Sequence, residues 1–196
     1  MAESRFAVAV LAAGKSVRFG PQDKLAAPLG EALLGEHAAR TLSELGFSHR
    51  WVIAGRADHP CVPGWAAAGF AVSVNAEAAS GMGASLALAA QLALAADVDG
   101  LLVALADMPL VPARHFAALL ARAAELGPGA IAASEAVGQR SPPAVFGRQH
   151  FSELAVSSGD AGARHLLREA ETIACAPDWL IDIDDPATLA EVAARL

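Results

Sequence analysis

The chain contains little lysine and little cysteine, and its overall charge is not basic. Lys15 and Lys24 are the only lysines among 196 residues. The two cysteines, Cys61 and Cys175, lie in unrelated contexts, so they provide no disulfide framework and fit a reducing compartment. A formal net charge of −7 argues against a general surface for nucleic acid or for anionic membranes. We therefore expect a cytoplasmic protein in which any basic site is local.

Long, uninterrupted hydrophobic runs are also missing. The longest late apolar stretch, residues 86–106, is interrupted by Gln91, Asp97 and Asp99, which argues against a transmembrane helix. Hydrophobic residues make up 55% of the chain, but many of them are alanine, so the composition predicts a globular, helix-rich protein. The length predicts one domain over residues 1–196, with a substantial core.

The order of the apolar segments predicts an α/β fold. Residues 6–11 form a valine-rich run typical of a buried strand, residues 32–45 have helical spacing that stops at Gly46, and residues 51–54 resemble a second strand. A strand, a helix and a strand in this order begin a parallel sheet. Residues 101–106 are apolar on both faces, so we expect this strand in the centre of the sheet.

The remaining segments complete this prediction. Pro142 and Pro143 exclude a regular central strand over residues 139–146, so we expect a loop that enters an edge strand. Along a strand within residues 179–186, Asp182 and Asp184 would project to the same face. The pattern also predicts strands at 70–74 and 131–133, helices at 84–96, 112–126 and 187–196, and a surface loop at 58–61.

The loop after the first strand has the composition of a polyphosphate site. It contains Gly14, Lys15, Arg18 and Lys24. Glycine lets backbone N–H groups approach oxygen anions, and basic side chains neutralise the remaining charge. Both lysines of the chain lie here, and lysine supplies a compact, mobile positive charge that arginine does not reproduce. This confinement of lysine indicates chemistry in the loop.

Two familiar phosphate-binding motifs do not fit the chain. A P-loop that ends in Gly14-Lys15-Ser16 would need its first glycine at Ala9. A dinucleotide-binding fingerprint that begins at Gly81 would need a glycine at Leu86. Neither a Walker site nor a dinucleotide-binding loop is therefore predicted.

Three further segments admit both a structural and a functional interpretation. Residues 75–86 are a loop before a helix, where free N–H groups and Ser85 either cap the helix or face a nucleotide. Asp107, after the central strand, either caps a turn or binds Mg²⁺. Residues 157–164 favour a helix cap when taken alone. The mutual repulsion of Asp182 and Asp184 would be relieved by a bound cation.

Taken together, the motifs resemble the nucleotidyltransferases with a glycosyltransferase-A-like fold, and among them the molybdopterin cytidylyltransferase branch. The opening signature of that family, L-A-[AG]-G-x-S-x-R-[MF]-G followed by a lysine, is present at residues 11–20 and Lys24. The family motifs G-[LM]-x-x-S-L, G-D-M-P, G-D-x-G-x-R and D-[IV]-[DN]-T-P resemble residues 81–86, 106–109, 159–164 and 182–186.

The chain departs from the family pattern at three places. Ala106 replaces a glycine and Asp185 replaces a threonine. At Ser141-Pro142 the branch usually has a glycine, and often a histidine, before a single proline. This last region faces the acceptor in the family, so the departure concerns the acceptor more than the nucleotide.

The resemblance implies a three-layer α/β/α, Rossmann-like domain with a mostly parallel sheet. It also implies a reaction in which an NTP and a phosphate-bearing acceptor give a nucleotidyl-acceptor and pyrophosphate. By this resemblance Arg18, Lys24 and Asp107 are catalytic, Asp107 and Asp184 bind Mg²⁺ with Asp182 as the alternative ligand, and Arg164 meets the acceptor's phosphate. The residues expected to bind the nucleotide are Leu11, Ala12, Ala13, Gly14, Lys15, Asn75, Gly81 and Ser85.

The identity of the base follows from Ala13. The cytidylyltransferase branch favours L-A-A-G and the guanylyltransferase branch L-A-G-G, and a methyl group beside the base narrows the pocket against a purine. We therefore expect CTP and molybdopterin as substrates, with a molybdoenzyme or its chaperone as a candidate partner. The alternatives are GTP, another phosphate acceptor such as a sugar phosphate, or a non-catalytic chaperone that binds the molybdenum cofactor.

Overall fold

A computed structural model describes residues 5–14, 19, 23–159 and 163–195. These residues form a seven-stranded sheet with helices packed against it, and a separate two-stranded hairpin. The three-layer α/β/α fold class is confirmed. The strands are β1 (Phe6–Ala12), β2 (Pro28–Leu29), β3 (Ala32–Leu33), β4 (His49–Ala54), β5 (Ala71–Val74), β6 (Gly100–Leu105), β7 (Ile131–Ala136), β8 (Gln139–Gly147) and β9 (Glu171–Ala174).

The sheet has the order β5-β4-β1-β6-β8-β7-β9, so β6 lies in the middle as predicted. The neighbours β5, β4, β1 and β6 are parallel, and β8 runs antiparallel to both β6 and β7. In β1 the side chains of Ala7 to Val10 are fully buried. Leu11 lies beside Leu105 in the register, so β1 and β6 end at the same edge of the sheet.

The helices are short except for two. They are α1 (His37–Ser43), α2 (Val62–Ala67), α3 (Met82–Ala95), α4 (Ala113–Leu126), α5 (Phe151–Leu154), α6 (Arg164–Glu169) and α7 (Pro186–Ala193). The predicted start of α7 is confirmed, because the Asp185 side chain accepts a hydrogen bond from the Thr188 N–H at 2.9 Å. Within the described part of the chain, no helix is both long and apolar enough to cross a membrane.

The predicted helix over residues 32–45 is wrong in its first half. Ala32–Leu33 pairs with Pro28–Leu29 in a hairpin that turns at Gly30, which has a φ of +58°. A 3-10 turn follows, and α1 covers only His37–Ser43 with its C-cap at Glu44 rather than at Gly46. The apolar spacing fits both structures, and the local turn decides between them.

The predicted edge position of the segment with two prolines is also wrong. Strand β8 lies between β6 and β7. Its pairing with β6 covers only residues 144–147, and its pairing with β7 shifts register between Ala133 and Ser134, opposite the prolines. Pro142 and Pro143 therefore fall where β8 makes no ladder pairs with β6 or with β7, so their missing N–H groups interrupt no regular ladder.

Two further predictions need correction. Residues 181–184 do not form a strand, and a 3-10 turn, Pro177–Leu180, takes the start of the predicted strand. The Ile183 N–H nevertheless donates to the carbonyl oxygen of Asp107 at 3.0 Å, which fixes this segment beside the end of β6. The predicted surface loop at 58–61 is partly a core segment, because His59 and Cys61 are buried.

Candidate active site

A lysine and two aspartates that are distant in sequence meet at the carboxyl edge of β1 and β6. Lys24 Nζ lies 2.7 Å from Asp107 Oδ2 and 2.6 Å from Asp184 Oδ1. Lys24 is only 6% exposed, whereas the side chain of Asp184 is 46% exposed. The structure therefore brings together three of the residues that the sequence predicts to be functional.

The local structure around each of the three residues positions its side chain. Lys24 begins a 3-10 turn that Asp23 caps by accepting from the Leu25 N–H at 3.0 Å. Asp107 follows β6 directly, and the preceding Ala106 N–H donates to the carbonyl oxygen of Leu11 at 3.1 Å. Asp184 immediately precedes the N-cap of α7. The cationic group thus comes from the loop after β1 and the anionic groups from two other segments.

The charges of this cluster are strongly coupled. Burial by itself would lower the pKa of Lys24, but the charges and hydrogen bonds of Asp107 and Asp184 outweigh burial and raise the pKa above its ordinary value. For Asp182, desolvation first, and then the charges of Asp107 and Asp184, raise the pKa to about 7, although the residue keeps substantial solvent exposure. Among the described residues, the site therefore combines three carboxyl groups with the ammonium group of Lys24.

Carboxylates gathered in this way fit a divalent cation. Asp107 Oδ1 is buried and accepts no hydrogen bond from the described residues. The described residues contain no group of three or more His, Cys, Asp or Glu side chains arranged to hold a metal. Mg²⁺ is commonly bound through one or two carboxylates and completes its coordination with water and substrate phosphates. Asp107 and Asp184 suit that mode of binding, in which the substrate supplies part of the ligand set.

A cavity of about 470 Å³ opens beside the cluster. Of the residues predicted to bind the nucleotide, six line it, together with Lys24 and Asp107. These six are Leu11, Ala12, Ala13, Gly14, Gly81 and Ser85. The first four come from the end of β1 and the last two from the start of α3, so the cavity joins two segments that the motifs predicted separately.

Asn75 is not among the residues that line this cavity. Its side chain is buried and donates to Ser85 Oγ at 3.0 Å, while its Oδ1 accepts from the Glu77 N–H at 2.9 Å. Asn75 therefore fixes the loop before α3 and the orientation of Ser85. Gly81 in this loop has a φ of +104°, which only glycine adopts readily.

The start of α3 is also tied to the loop before α6. The Gly83 N–H donates to the carbonyl oxygen of Gly159 at 2.9 Å. A Cβ at Gly83 would lie 2.7 Å from that oxygen, so any larger residue would push the two segments apart. This contact places Arg164 at the start of α6 close to the cavity system.

A second, smaller cavity of about 260 Å³ adjoins the first. Leu11, Met82 and Leu105 line both cavities. The second cavity has a mostly apolar wall with Arg140, Arg164 and Asp182 among its lining residues. Arg164 therefore lines the second cavity and not the first.

The sequence motifs did not predict every feature of the site, and some predicted residues lie outside the part of the chain that the structure describes. Arg140 lines the second cavity but was not singled out, because no motif contains it. The contact between Lys24 and both carboxylates was also missed, although the rarity of lysine was a signal. Lys15 and Arg18, and Asp160 in the second glycine-bearing loop, lie outside the described residues.

The sheet and the site at its carboxyl edge define a class of enzyme that transfers nucleotidyl groups. The family model of the MobA-like NTP transferase domain matches residues 8–173. The chain therefore belongs to the MobA-like NTP transferase family and is a nucleotidyltransferase.

Individual relatives and solved structures are similar to the chain over most of its length. The purine catabolism protein PucB of Bacillus subtilis is 32% identical over 170 residues, which cover 82% of this chain and 80% of PucB. A solved homologue of Mycobacterium tuberculosis Rv0371c, from Mycobacterium sp. strain JC1, has a TM-score of 0.79 at 25% identity and covers 99% of this chain and 100% of its own. The molybdopterin-guanine dinucleotide biosynthesis protein A of Archaeoglobus fulgidus shares the fold, with a TM-score of 0.68, 16% identity, and coverage of 96% and 97%.

Proposed function

We propose that the protein transfers CMP from CTP to molybdopterin, with release of pyrophosphate and with Mg²⁺ as the cofactor. The observation that carries this proposal is the meeting of Lys24, Asp107 and Asp184 beside two adjoining cavities. Two substrates that react with each other need adjacent pockets, and their phosphate groups need opposing charge at the junction.

The reaction needs no nucleophile from the protein. An oxygen of the acceptor's phosphate attacks the α-phosphorus of the NTP in line, the bond from the α-phosphorus to the bridging oxygen breaks, and pyrophosphate leaves. The protein lowers the barrier by positioning the reactants and neutralising charge.

The residues of the cluster would have different roles in this reaction. Asp107 and Asp184 would hold the Mg²⁺, which when bound supplies positive charge at the α-phosphate. Lys24 has a flexible stem, so its ammonium group can turn from the carboxylates towards the triphosphate as the nucleotide binds. Arg18 is assigned to the same triphosphate by the family signature.

The first cavity has the size and lining that a nucleotide needs. Its volume of about 470 Å³ lies within the range of small-molecule sites. Ser85 Oγ accepts a hydrogen bond from Asn75, so its own hydroxyl hydrogen is left to be donated to a base or ribose. Ala13 lines the same cavity, and its methyl group supports the choice of cytosine over guanine.

The second cavity suits an acceptor that is partly apolar and anionic. Leucine, methionine and phenylalanine side chains form much of its wall, and Arg164 supplies a positive charge for the acceptor's phosphate. A pterin that carries a phosphate has this character. The relationship to PucB, which is named for purine catabolism, supports the further proposal that the product serves an enzyme of that process.

The test is a comparison of nucleotides and acceptors by pyrophosphate release. With molybdopterin and Mg²⁺ we expect CTP to exceed GTP in kcat/KM by about tenfold or more, and the product mass to show added CMP. Replacement of Mg²⁺ by Mn²⁺, and removal of both by a chelator, would measure the need for the cation.

Each alternative has its own outcome in this assay. A preference for GTP would contradict the assignment from Ala13. Turnover with a sugar phosphate but not with molybdopterin would change the acceptor. Binding of CTP without pyrophosphate from any acceptor would favour a non-catalytic chaperone.

A further inference from the structure

Residues 59–61, which lie before α2, contact the residues on both sides of Lys24. His59 Nε2 lies 2.9 Å from Asp23 Oδ2. The Cys61 thiol donates to the carbonyl oxygen of Leu25 at 3.1 Å. We propose that His59 and Cys61 are positioning residues that set the direction of the Lys24 side chain. This inference rests on the proposed function of Lys24 in nucleotidyl transfer.

The imidazole of His59 is fixed in one orientation. It is 4% exposed and stacks on Trp65, with the ring centroids 4.9 Å apart and the planes inclined by 20°. Trp65 is itself held, because its Nε1–H donates to the carbonyl oxygen of Gly35 at 2.7 Å. His59 Nδ1 accepts from the Cys61 N–H at 3.1 Å, so the proton of the neutral ring is on Nε2, which faces Asp23.

Asp23 connects His59 to the turn that contains Lys24. Asp23 Oδ2 lies 2.9 Å from His59 Nε2. Asp23 Oδ1 accepts from the Leu25 N–H at 3.0 Å and so caps the turn that begins at Lys24. The close contact with His59, at 2.9 Å, is the largest influence on the Asp23 carboxyl and, despite partial burial, it lowers the pKa of that group. Asp23 therefore stays ionised, as a cap on the turn requires.

Cys61 holds the other side of the turn. It is fully buried, and this burial, followed by the charges of Glu36 and Asp23, raises the pKa of the thiol to about 12. The thiol therefore keeps its proton and can donate it to Leu25. Two groups of one segment thus fix the backbone before and after Lys24, and the direction of a side chain in a short turn follows from its backbone.

The contacts suggest pairs of variants that separate positioning from packing. His59→Gln can place an amide N–H near the position of Nε2 and keep the contact with Asp23, whereas His59→Asn is too short. In the same way Cys61→Ser keeps a donor for Leu25 and Cys61→Ala does not. His49→Asn is the matched control. His49 also stacks on a tryptophan, Trp51, but it is the first residue of β4, at the end of the strand opposite to its carboxyl end.

Two measurements are made on each variant of the full chain. The first is kcat and KM for CTP in the pyrophosphate assay, below the melting transition. The second does not depend on activity: protein labelled with ¹³C at lysine Cε gives signals from only two lysines, and the Lys24 signal reports its environment. We expect His59→Asn and Cys61→Ala to shift that signal and to lower kcat by roughly 10- to 100-fold. The Gln and Ser variants should recover much of both, and His49→Asn should change neither.

A lower Tm with an unchanged Lys24 signal and unchanged kcat in His59→Asn and Cys61→Ala would overturn the inference, since packing alone would then explain both residues. If one variant does not fold, the other still decides. Lys24→Ala separates this failure from failure of the proposed function. Normal turnover in Lys24→Ala would remove the role of the lysine, whereas an inactive Lys24→Ala beside a fully active His59→Asn would remove only the positioning.

Discussion

At Lys24, burial and the charges of two carboxylates have opposite effects on the ammonium group. An ammonium group loses favourable hydration when it is buried, and two carboxylates within 2.7 Å compensate for that loss. The same two carboxylates are the proposed Mg²⁺ ligands. A Mg²⁺ ion held by these two carboxylates would balance their charge, and the ammonium group would then be available to the triphosphate.

Asp182 and Asp184, which follow the 3-10 turn Pro177–Leu180, have different positions, and this difference leads to a prediction. Asp184 contacts Lys24, whereas Asp182 lines the second cavity. We expect Asp184→Asn to lower kcat by roughly 100-fold or more, because it removes charge at the reacting phosphate. Asp182→Asn should mainly change KM for the acceptor. Steady-state kinetics with each substrate varied in turn separates the two effects.

The reverse result would exchange the roles of the two residues. A larger loss of kcat in Asp182→Asn than in Asp184→Asn would make Asp182 the second metal ligand. Circular dichroism of both variants checks that the segment before α7 is still folded.

At the scale of secondary structure, the site exists because β1 and β6 are adjacent and parallel. Their carboxyl ends lie at the same edge, which is where open α/β sheets bind ligands. The loops that follow them carry Lys24 and Asp107, and α7 brings Asp184 to the same place. Strand β8 then covers the other side of β6 and contributes Arg140 and Ser141 to the second cavity.

The irregular pairing of β7 and β8 is held by a buried hydrogen-bond chain, which gives a second prediction. Ser134 Oγ donates to the carbonyl oxygen of Pro143 at 2.8 Å and lies 2.8 Å from His115 Nε2. Burial lowers the pKa of His115, so the ring is neutral and its Nε2–H donates to the serine. Ser134→Ala would leave two buried polar groups unpaired, and we expect it to lower the free energy of unfolding by about 1–3 kcal/mol.

Ser48→Ala is the control for this prediction. Ser48 Oγ also donates to a carbonyl oxygen, that of Phe6, but in an exposed position. Its loss should change stability by no more than about 0.5 kcal/mol. Chemical denaturation of both variants measures the difference, and equal stabilities would contradict the importance of the buried chain.

At the scale of the whole molecule, the sequence predicted those strands, helix caps and motifs that are encoded in short segments of the chain. The valine-rich β1, the doubly apolar β6, the cap of α7 at Asp185 and the order of the motifs all carry their signals within a few residues. The fold class followed from these elements and from the resemblance. Sequence reasoning also placed Ala13 and Gly81 at one cavity, although the two segments are far apart in the chain.

What the sequence could not predict depends on contacts between distant segments. Lys24 and Asp184 are 160 residues apart, and only the folded sheet shows that they touch. His59 and Cys61 belong to a polar, proline-containing segment that resembles a surface loop, yet Trp65 and the Lys24 turn bury them. Pro142 and Pro143 are compatible with an inner strand because the pairing of β8 with β6 stops at Ala144 and its pairing with β7 shifts register opposite the prolines.

The proposed function requires that Asp107 and its partners catalyse nucleotidyl transfer at this edge of the sheet. The most direct measurement is the rate of pyrophosphate release from CTP and molybdopterin by the wild type and by Asp107→Asn, at matched concentrations of folded protein. Asparagine keeps the shape of the side chain and removes its charge, and Asp184 still pairs with Lys24. We predict a loss of turnover of roughly 100-fold or more with cooperative unfolding retained. Near-normal turnover in Asp107→Asn would contradict the account.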